Sequence, residues 1–278
     1  MTSVAVAAAR SLEAQRSDSL VSDPWAAALV DASGVTTPFP AEWPDAAADL
    51  PLWDRSILMG ASYIGLRTRF IDDEVLARGI RQVVVLGSGL DTRAWRLEWP
   101  ADTTVFELDS ADVIALVDSV MGATGAVPKC RRVAVAADVT ESWAGRIVSR
   151  GFDPRRPTMW ILEGLLPYLS AHDQAGVLDD VVHLSGRGSS AVIERAPALE
   201  DTPESRRRLE EMAQATGMPM DKLLARADPP DPAEVLSAAG WATEEVTVAA
   251  LERRYGRTLG LDGTPAGESR GGFVVGSR

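Results

Sequence analysis

The chain has 278 residues, 46% hydrophobic and 24% charged, an ordinary globular composition long enough for one elaborated α/β domain. A formal net charge of −12 argues against nucleic acid or an anionic membrane as the main partner, because neutralising phosphates takes clustered Lys and Arg. One cysteine, Cys130, excludes an intramolecular disulfide, and with only two histidines, His172 and His183, no metal site is expected.

Residues 4–31 read as helical: Ala-rich, with Leu12, Leu20, Trp25, Ala28 and Leu29 on apolar faces and Asp23-Pro24 opening a second helix. This start is too short and too weakly apolar for a signal peptide, and no apolar run reaches the roughly 18–20 residues that span a bilayer. A cytoplasmic protein is expected. The Pro-rich stretch Thr37 to Pro51 predicts irregular structure. Residues 53–78 resume a helical pattern that closes at Gly79, in the position of a C-terminal cap.

The period then changes. Gln82 to Leu86 is a short, β-branched apolar run ending in glycine, the pattern of a buried parallel strand. Similar runs are Thr104 to Leu108, Arg132 to Val135, Thr158 to Leu162 and Ser190 to Ile193, separated by helical segments such as Ala111 to Met121 and Ala171 to Leu184. Charged helical stretches, Glu204 to Met212 and Met220 to Ala227, interrupt the alternation before strands return at Glu245 to Val248 and Gly272 to Val275. These runs predict an α/β fold with a doubly wound, mostly parallel sheet over 79–278. An N-terminal helical cap (1–78) and an inserted helical lid (197–227) are expected around it.

In Val83 to Arg93, a strand runs into Gly87-Ser88-Gly89, where the backbone can turn tightly and approach a ligand without a Cβ in the way. The turn could equally be a structural one. A dinucleotide site would want a third glycine at position 92, which holds threonine, so NAD or FAD is disfavoured. The next strand ends Phe106-Glu107-Leu108-Asp109; both acids fall on one face, and either could accept ribose hydroxyls at the carboxyl end of the sheet. Asp109 could instead serve a helix N-terminus. Asp138, beside Val139, could accept an adenine amino group or cap the following segment.

Glu163 ends a very apolar strand, so it should meet a cationic ligand or an arginine rather than stay buried and unpaired. Arg67 and Arg69 lie about 200° apart on one helix; one could grip a carboxylate, or both could be solvated. His172 follows a Ser170-x-x-Asp173 cap and His183 falls late in the same helix, so both read as structural. Trp43, Trp53, Tyr63, Tyr168 and Met212 could line an apolar pocket, although core packing is the plainer role for most of them.

Taken together these segments resemble the leucine carboxyl methyltransferase-like family of class I S-adenosylmethionine-dependent methyltransferases, including its bacterial branch of polyketide-type and mycobacterial O-methyltransferases. The resemblance runs through Ala8 to Glu13, Asp23-Pro24-Trp25-Ala26-Ala27, Leu66 to Asp72, Gly87 to Ala94, Phe106 to Asp109, Ala137-Asp138-Val139, Glu163 to Leu169 and Tyr255-Gly256-Arg257, in order along nearly the whole chain. It implies a seven-stranded Rossmann-like sheet and S-adenosyl-L-methionine as cofactor. By position it implies that Arg67 binds the methionine carboxylate, that Gly87 and Gly89 meet the methionine portion, and that Asp109 takes the ribose. Asp138 and Val139 would take the adenine. Glu163 would take the amino group and, with Tyr168, border the transfer cleft, while Asp91, Thr92 and Arg93 organise the loop. Ser110 departs from the proline that many relatives carry.

An acceptor carboxylate is ionised at neutral pH and needs no general base, and this chain offers no obvious one. A methyl ester of a small molecule, in bacterial secondary metabolism, is therefore the expected product, with a phenol as the other small-molecule acceptor. A peptide or protein C-terminal carboxylate, and a cofactor-binding protein without transfer activity, are the alternatives.

Overall fold

The computed structural model describes residues 2–45, 47–195, 207, 210, 229–261 and 271–278. Its strands are β1 (Gln82–Leu86), β2 (Thr104–Asp109), β3 (Arg131–Ala136), β4 (Met159–Leu162), β5 (Ser190–Arg195), β6 (Ala242–Thr247) and β7 (Gly272–Ser277). They form one sheet in the order β3-β2-β1-β4-β5-β7-β6, parallel except for β7, which runs antiparallel to both of its neighbours. The α/β, doubly wound, mostly parallel expectation is met. The order reverses between β1 and β4, which opens a crevice at the carboxyl ends of the strands.

Alternate side chains of each strand serve opposite faces, and both faces are covered. Val84, Leu86, Phe106, Trp160, Leu162 and Ile193 pack with α6 (Ala144–Ser149), α7 (Ala171–His183) and α8 (Pro232–Ala238). Val83, Val85, Val105, Ile161, Val192 and Phe273 pack against α3 (Leu52–Arg78) and α9 (Val248–Tyr255). The carboxyl-terminal half of α3 is thus a layer of the core through Leu66, Phe70, Ile71 and Val75. Its amino-terminal half packs on α1 (Thr2–Glu13) through Leu12, Leu58 and Ala61. A third cluster joins α1, α2 (Ala26–Ser33), α4 (Arg93–Arg96) and α5 (Ala111–Thr124).

Two boundaries depart from the sequence pattern. The Ala-rich start is helical only to Glu13; residues 14–25 are turns and irregular chain, in which Asp23 Oδ2 joins Arg10 and Thr92 at 2.9 and 2.7 Å while its Oδ1 accepts from the Trp25 N–H at 3.2 Å, just before α2. The strand expected over Glu245 to Val248 occupies Ala242–Thr247, because the Thr247 hydroxyl accepts from the Ala250 N–H and starts α9 there. Most of the segment expected as a lid (197–227), Met212 included, lies outside the described residues. Among the described residues no helix is long and apolar enough to cross a membrane.

Candidate active site at the switch point

A cavity of about 470 Å³ opens where the carboxyl ends of β1 to β4 meet α1. Arg67, Gly87, Gly89, Asp109, Asp138, Val139, Glu163 and Tyr168 all line it, so residues from five separate segments converge on one space. The geometry also separates the two arginines. Arg67 is 6% exposed and faces the cavity, whereas Arg69 points outward, paired with Asp73 at 2.9 Å one helical turn on.

The floor is the turn after β1. Gly87 and Gly89 both adopt left-handed backbone, at φ 64° and 53°. A Cβ at Gly87 would stand 2.9 Å from the Leu165 side chain, and one at Gly89 would stand 2.9 Å from Ser3 Cβ on α1. Conformation and space both require glycine here. Ser88 lies between them, with a buried hydroxyl that has no partner among the described residues. The Gly89 N–H donates to Asp109 Oδ2 at 2.7 Å, which ties the β1 turn to the end of β2.

Asp109 and Glu107 share a strand face but not a role. Asp109 is half-buried at the cavity and also accepts from the Ser110 N–H at 2.7 Å. A proline at 110 has no N–H, so the serine gives Asp109 a second backbone donor. Glu107 is buried below, paired with Arg132 at 2.7 Å; burial pushes its carboxyl up to about 7 despite the arginine. Asp138 is exposed at the cavity edge, and the Thr140 N–H and hydroxyl, each at 2.8 Å from Oδ1, hold its carboxyl below the usual range.

The far end of the cavity is a buried charge cluster. Glu163 stands 2.9 Å from Arg67 Nε and 2.7 Å from Arg93 Nη1. Burial pushes the Glu163 carboxyl up, but Arg93 and then Arg67 outweigh it and bring it down to about 2. Arg93 is itself held by Asp72 and Asp91 at 2.7 and 2.6 Å, and Arg96 also pairs with Asp72. Arg10 of α1 donates to the Leu90 carbonyl at 2.6 Å while paired with Asp23, and it lines the same cavity. Sequence reasoning gave no role to Arg10 or Arg96, nor to Glu194, which accepts from Arg67 Nη1 at 3.0 Å. For Arg10 the signal was its place in the segment Ala8 to Glu13.

The remaining candidates lie elsewhere or at the rim. Tyr168 is 37% exposed at the mouth, linked to Thr2 of α1 by a side-chain hydrogen bond. Trp43 lies under the Arg16 guanidinium beside a second cavity, and Trp53 is partly exposed. His172 is exposed on α7 after the Ser170 cap, and His183 Nδ1 lies 2.7 Å from the Asp179 carbonyl. Neither histidine lines the switch-point cavity. Among the described residues no group of three His, Cys, Asp or Glu side chains could hold a metal ion.

A seven-stranded sheet of this order, with an antiparallel seventh strand and a cavity at its switch point, is the fold of the class I methyltransferases. Residues 3–182 match the model of the leucine carboxyl methyltransferase family. A protein of Saccharopolyspora erythraea, provisionally named an S-adenosyl-L-methionine-dependent methyltransferase, is 39% identical over 262 residues, 93% of this chain and 88% of its own. The chain belongs to the leucine carboxyl methyltransferase family and is an S-adenosyl-L-methionine-dependent methyltransferase.

Solved structures agree on the fold. A DUF574-family protein of Streptomyces avermitilis is similar with a TM-score of 0.57 at 15% identity, covering 100% of this chain and 97% of that one. A protein of Thermobifida fusca, provisionally described as a methyltransferase, is similar with a TM-score of 0.52 at 20% identity, covering 97% and 96%.

Proposed function

We propose that this enzyme is an O-methyltransferase that esterifies a carboxylate of a small molecule, in bacterial secondary metabolism, and that the switch-point cavity holds its cofactor. The cavity suits S-adenosyl-L-methionine on three counts. Its floor is a cradle that a Cβ would fill at Gly87 or Gly89. Its buried Ser88 hydroxyl has no hydrogen-bond partner among the described residues. Its polar groups divide into an acidic edge, Asp109 and Asp138, and a mixed-charge end, Arg67 with Glu163. That division matches an adenosine at one end and an amino acid at the other.

In this reading Asp109 accepts the ribose hydroxyls, while Asp138 and the Val139 N–H meet the adenine. Arg67 grips the methionine carboxylate and Glu163 takes the ammonium. The bound cofactor supplies a methyl on a sulfonium, which departs as a neutral thioether when the methyl is displaced in line. Protein groups then have to align the acceptor and keep water out. The amino-terminal turn of α1, through Thr2, Ser3 and Val6, and Tyr168 wall the cavity from solvent.

The observation that favours a carboxylate acceptor is the state of Glu163. It is the acid at the transfer end, and two arginines keep it ionised with a carboxyl brought down to about 2, far too weak a base to take a proton from an alcohol. An acceptor that arrives as an anion needs no such base. A phenol of lowered pKa is the second small-molecule reading, on the same ground. Incubation with methyl-labelled cofactor and panels of small carboxylic acids, phenols and peptides tests this. Label released as methanol by mild alkali, on small acids, is the expected result. Alkali-stable label would mean an ether, label only on peptides would move the acceptor to a C-terminal carboxylate, and no label on any panel would leave a cofactor-binding protein.

A further inference from the structure

Glu194, the penultimate residue of β5, is only 7% exposed and follows a run of apolar residues, and nothing in the methyl transfer derived above uses it. Its oxygens are nonetheless fully committed. Oε2 accepts from Arg67 Nη1 at 3.0 Å and from the Gly164 N–H at 2.7 Å, and Oε1 accepts from the Tyr63 hydroxyl at 2.5 Å. We propose that Glu194, itself fixed by Tyr63, is the positioning residue that sets Arg67 and the Glu163-Gly164 turn for the amino-acid end of the cofactor. This rests on the assignment of Arg67 to the methionine carboxylate.

An ion pair in the interior adds little net stability over an apolar pair of similar size, so its more useful effect is to fix geometry. Arg67 is a long side chain with two carboxylates beside it, Glu163 at Nε and Glu194 at Nη1. With both in place the guanidinium plane is held along two edges, leaving Nη2 as the nitrogen bound to neither. Without Glu194, Arg67 has only Glu163 to pair with, and Glu163 is then drawn into that pair and away from a ligand ammonium. The same Glu194 oxygen holds the backbone of Gly164, whose left-handed φ of 61° sets the turn directly after Glu163. Tyr63 completes the arrangement: burial, with the neighbouring Glu194 charge, raises its hydroxyl well above the ordinary tyrosine range, so it stays a donor at any working pH.

The proposal predicts an effect confined to one end of the ligand, which the adenosine-only analogue 5′-methylthioadenosine can separate from S-adenosylhomocysteine. Calorimetric titration needs no acceptor. In Glu194→Gln, loss of a charged hydrogen-bond partner weakens S-adenosylhomocysteine about tenfold, while 5′-methylthioadenosine binds as to the wild type. Tyr63→Phe shows the same pattern with a smaller factor, and decides the matter if Glu194→Gln does not fold. Arg67→Lys is run alongside. If it weakens S-adenosylhomocysteine while Glu194→Gln or Tyr63→Phe does not, the positioning role is wrong and the Arg67 assignment stands. If Arg67→Lys leaves that ligand unaffected, the Arg67 assignment falls and this proposal with it. Equal weakening of both ligands in the Glu194 and Tyr63 variants would mean general damage to the site, and would also overturn the proposal.

Discussion

Replacing Glu163 by glutamine probes the charge cluster at the transfer end. The amide keeps the shape but removes the negative charge that stands 2.9 Å from Arg67 Nε and 2.7 Å from Arg93 Nη1. Its NH2 group, a donor, would also face one of two donors. Removing one member of a buried ion pair commonly costs about 3–5 kcal/mol. Here neither cation is stranded, because Arg67 keeps Glu194 and Arg93 keeps Asp72 and Asp91. The loss should therefore be nearer 2 kcal/mol, or about 5 °C in Tm for a chain of this size. Urea denaturation followed across pH reads both the size and the cause. Glu163 is depressed in the fold from 4.5 to about 2, so its contribution is fully present above pH 4.5 and is lost as pH falls through 2. The gap between wild type and variant should be constant from pH 8 to 5 and shrink below that. Equal stability at pH 7, or a gap that does not narrow in acid, would refute the reasoning.

Three further outcomes follow from individual contacts. Gly89→Ala places a side chain on left-handed backbone and against Ser3, and should destabilise the protein by about 2 kcal/mol; adding Ser3→Gly should recover the part due to the clash, as read by thermal denaturation. Glu107 is raised from 4.5 to about 7 in the fold, so it favours the folded state less as pH rises through that window; stability of Glu107→Gln relative to wild type should therefore improve between pH 4.5 and 7 and level off above it. Arg69→Ala removes an outward-facing pair and should change stability by less than about 0.5 kcal/mol and leave cofactor affinity unchanged, in contrast to any change at Arg67.

How far the residues announce the fold depends on how local their reasons are. The strand at Gln82–Leu86 is recognisable because all five residues are buried, and after Gln82 the run Val83 to Leu86 has no polar break. The strand at Ala242–Thr247 is harder, since at the sheet edge Glu244 and Glu245 face solvent and the apolar signal slides onto Val248, the first residue of a helix. The candidate site divides in the same way. Asp109 and Glu163 sit at strand ends, where position alone draws attention, and the glycines carry their own conformational signature. Nothing local separates Arg67 from Arg69; only the packing of α3 against the sheet turns one of them into the cavity. Glu194 also follows an apolar run, but nothing local gives it a role, because its partners Arg67 and Tyr63 lie 127 and 131 residues away in the chain.

The central claim is that the space bounded by Arg67, Gly87, Gly89, Asp109, Asp138 and Glu163 is the cofactor site. Calorimetric titration of the whole chain with S-adenosyl-L-methionine, in parallel with NAD, tests it most directly, with Asp109→Ala as the companion variant. Saturable binding of one S-adenosyl-L-methionine per chain is expected, weakened about tenfold or more by Asp109→Ala through loss of the ribose acceptor, and with no heat from NAD. Absence of binding by the wild type, or affinity indifferent to Asp109, would contradict the account.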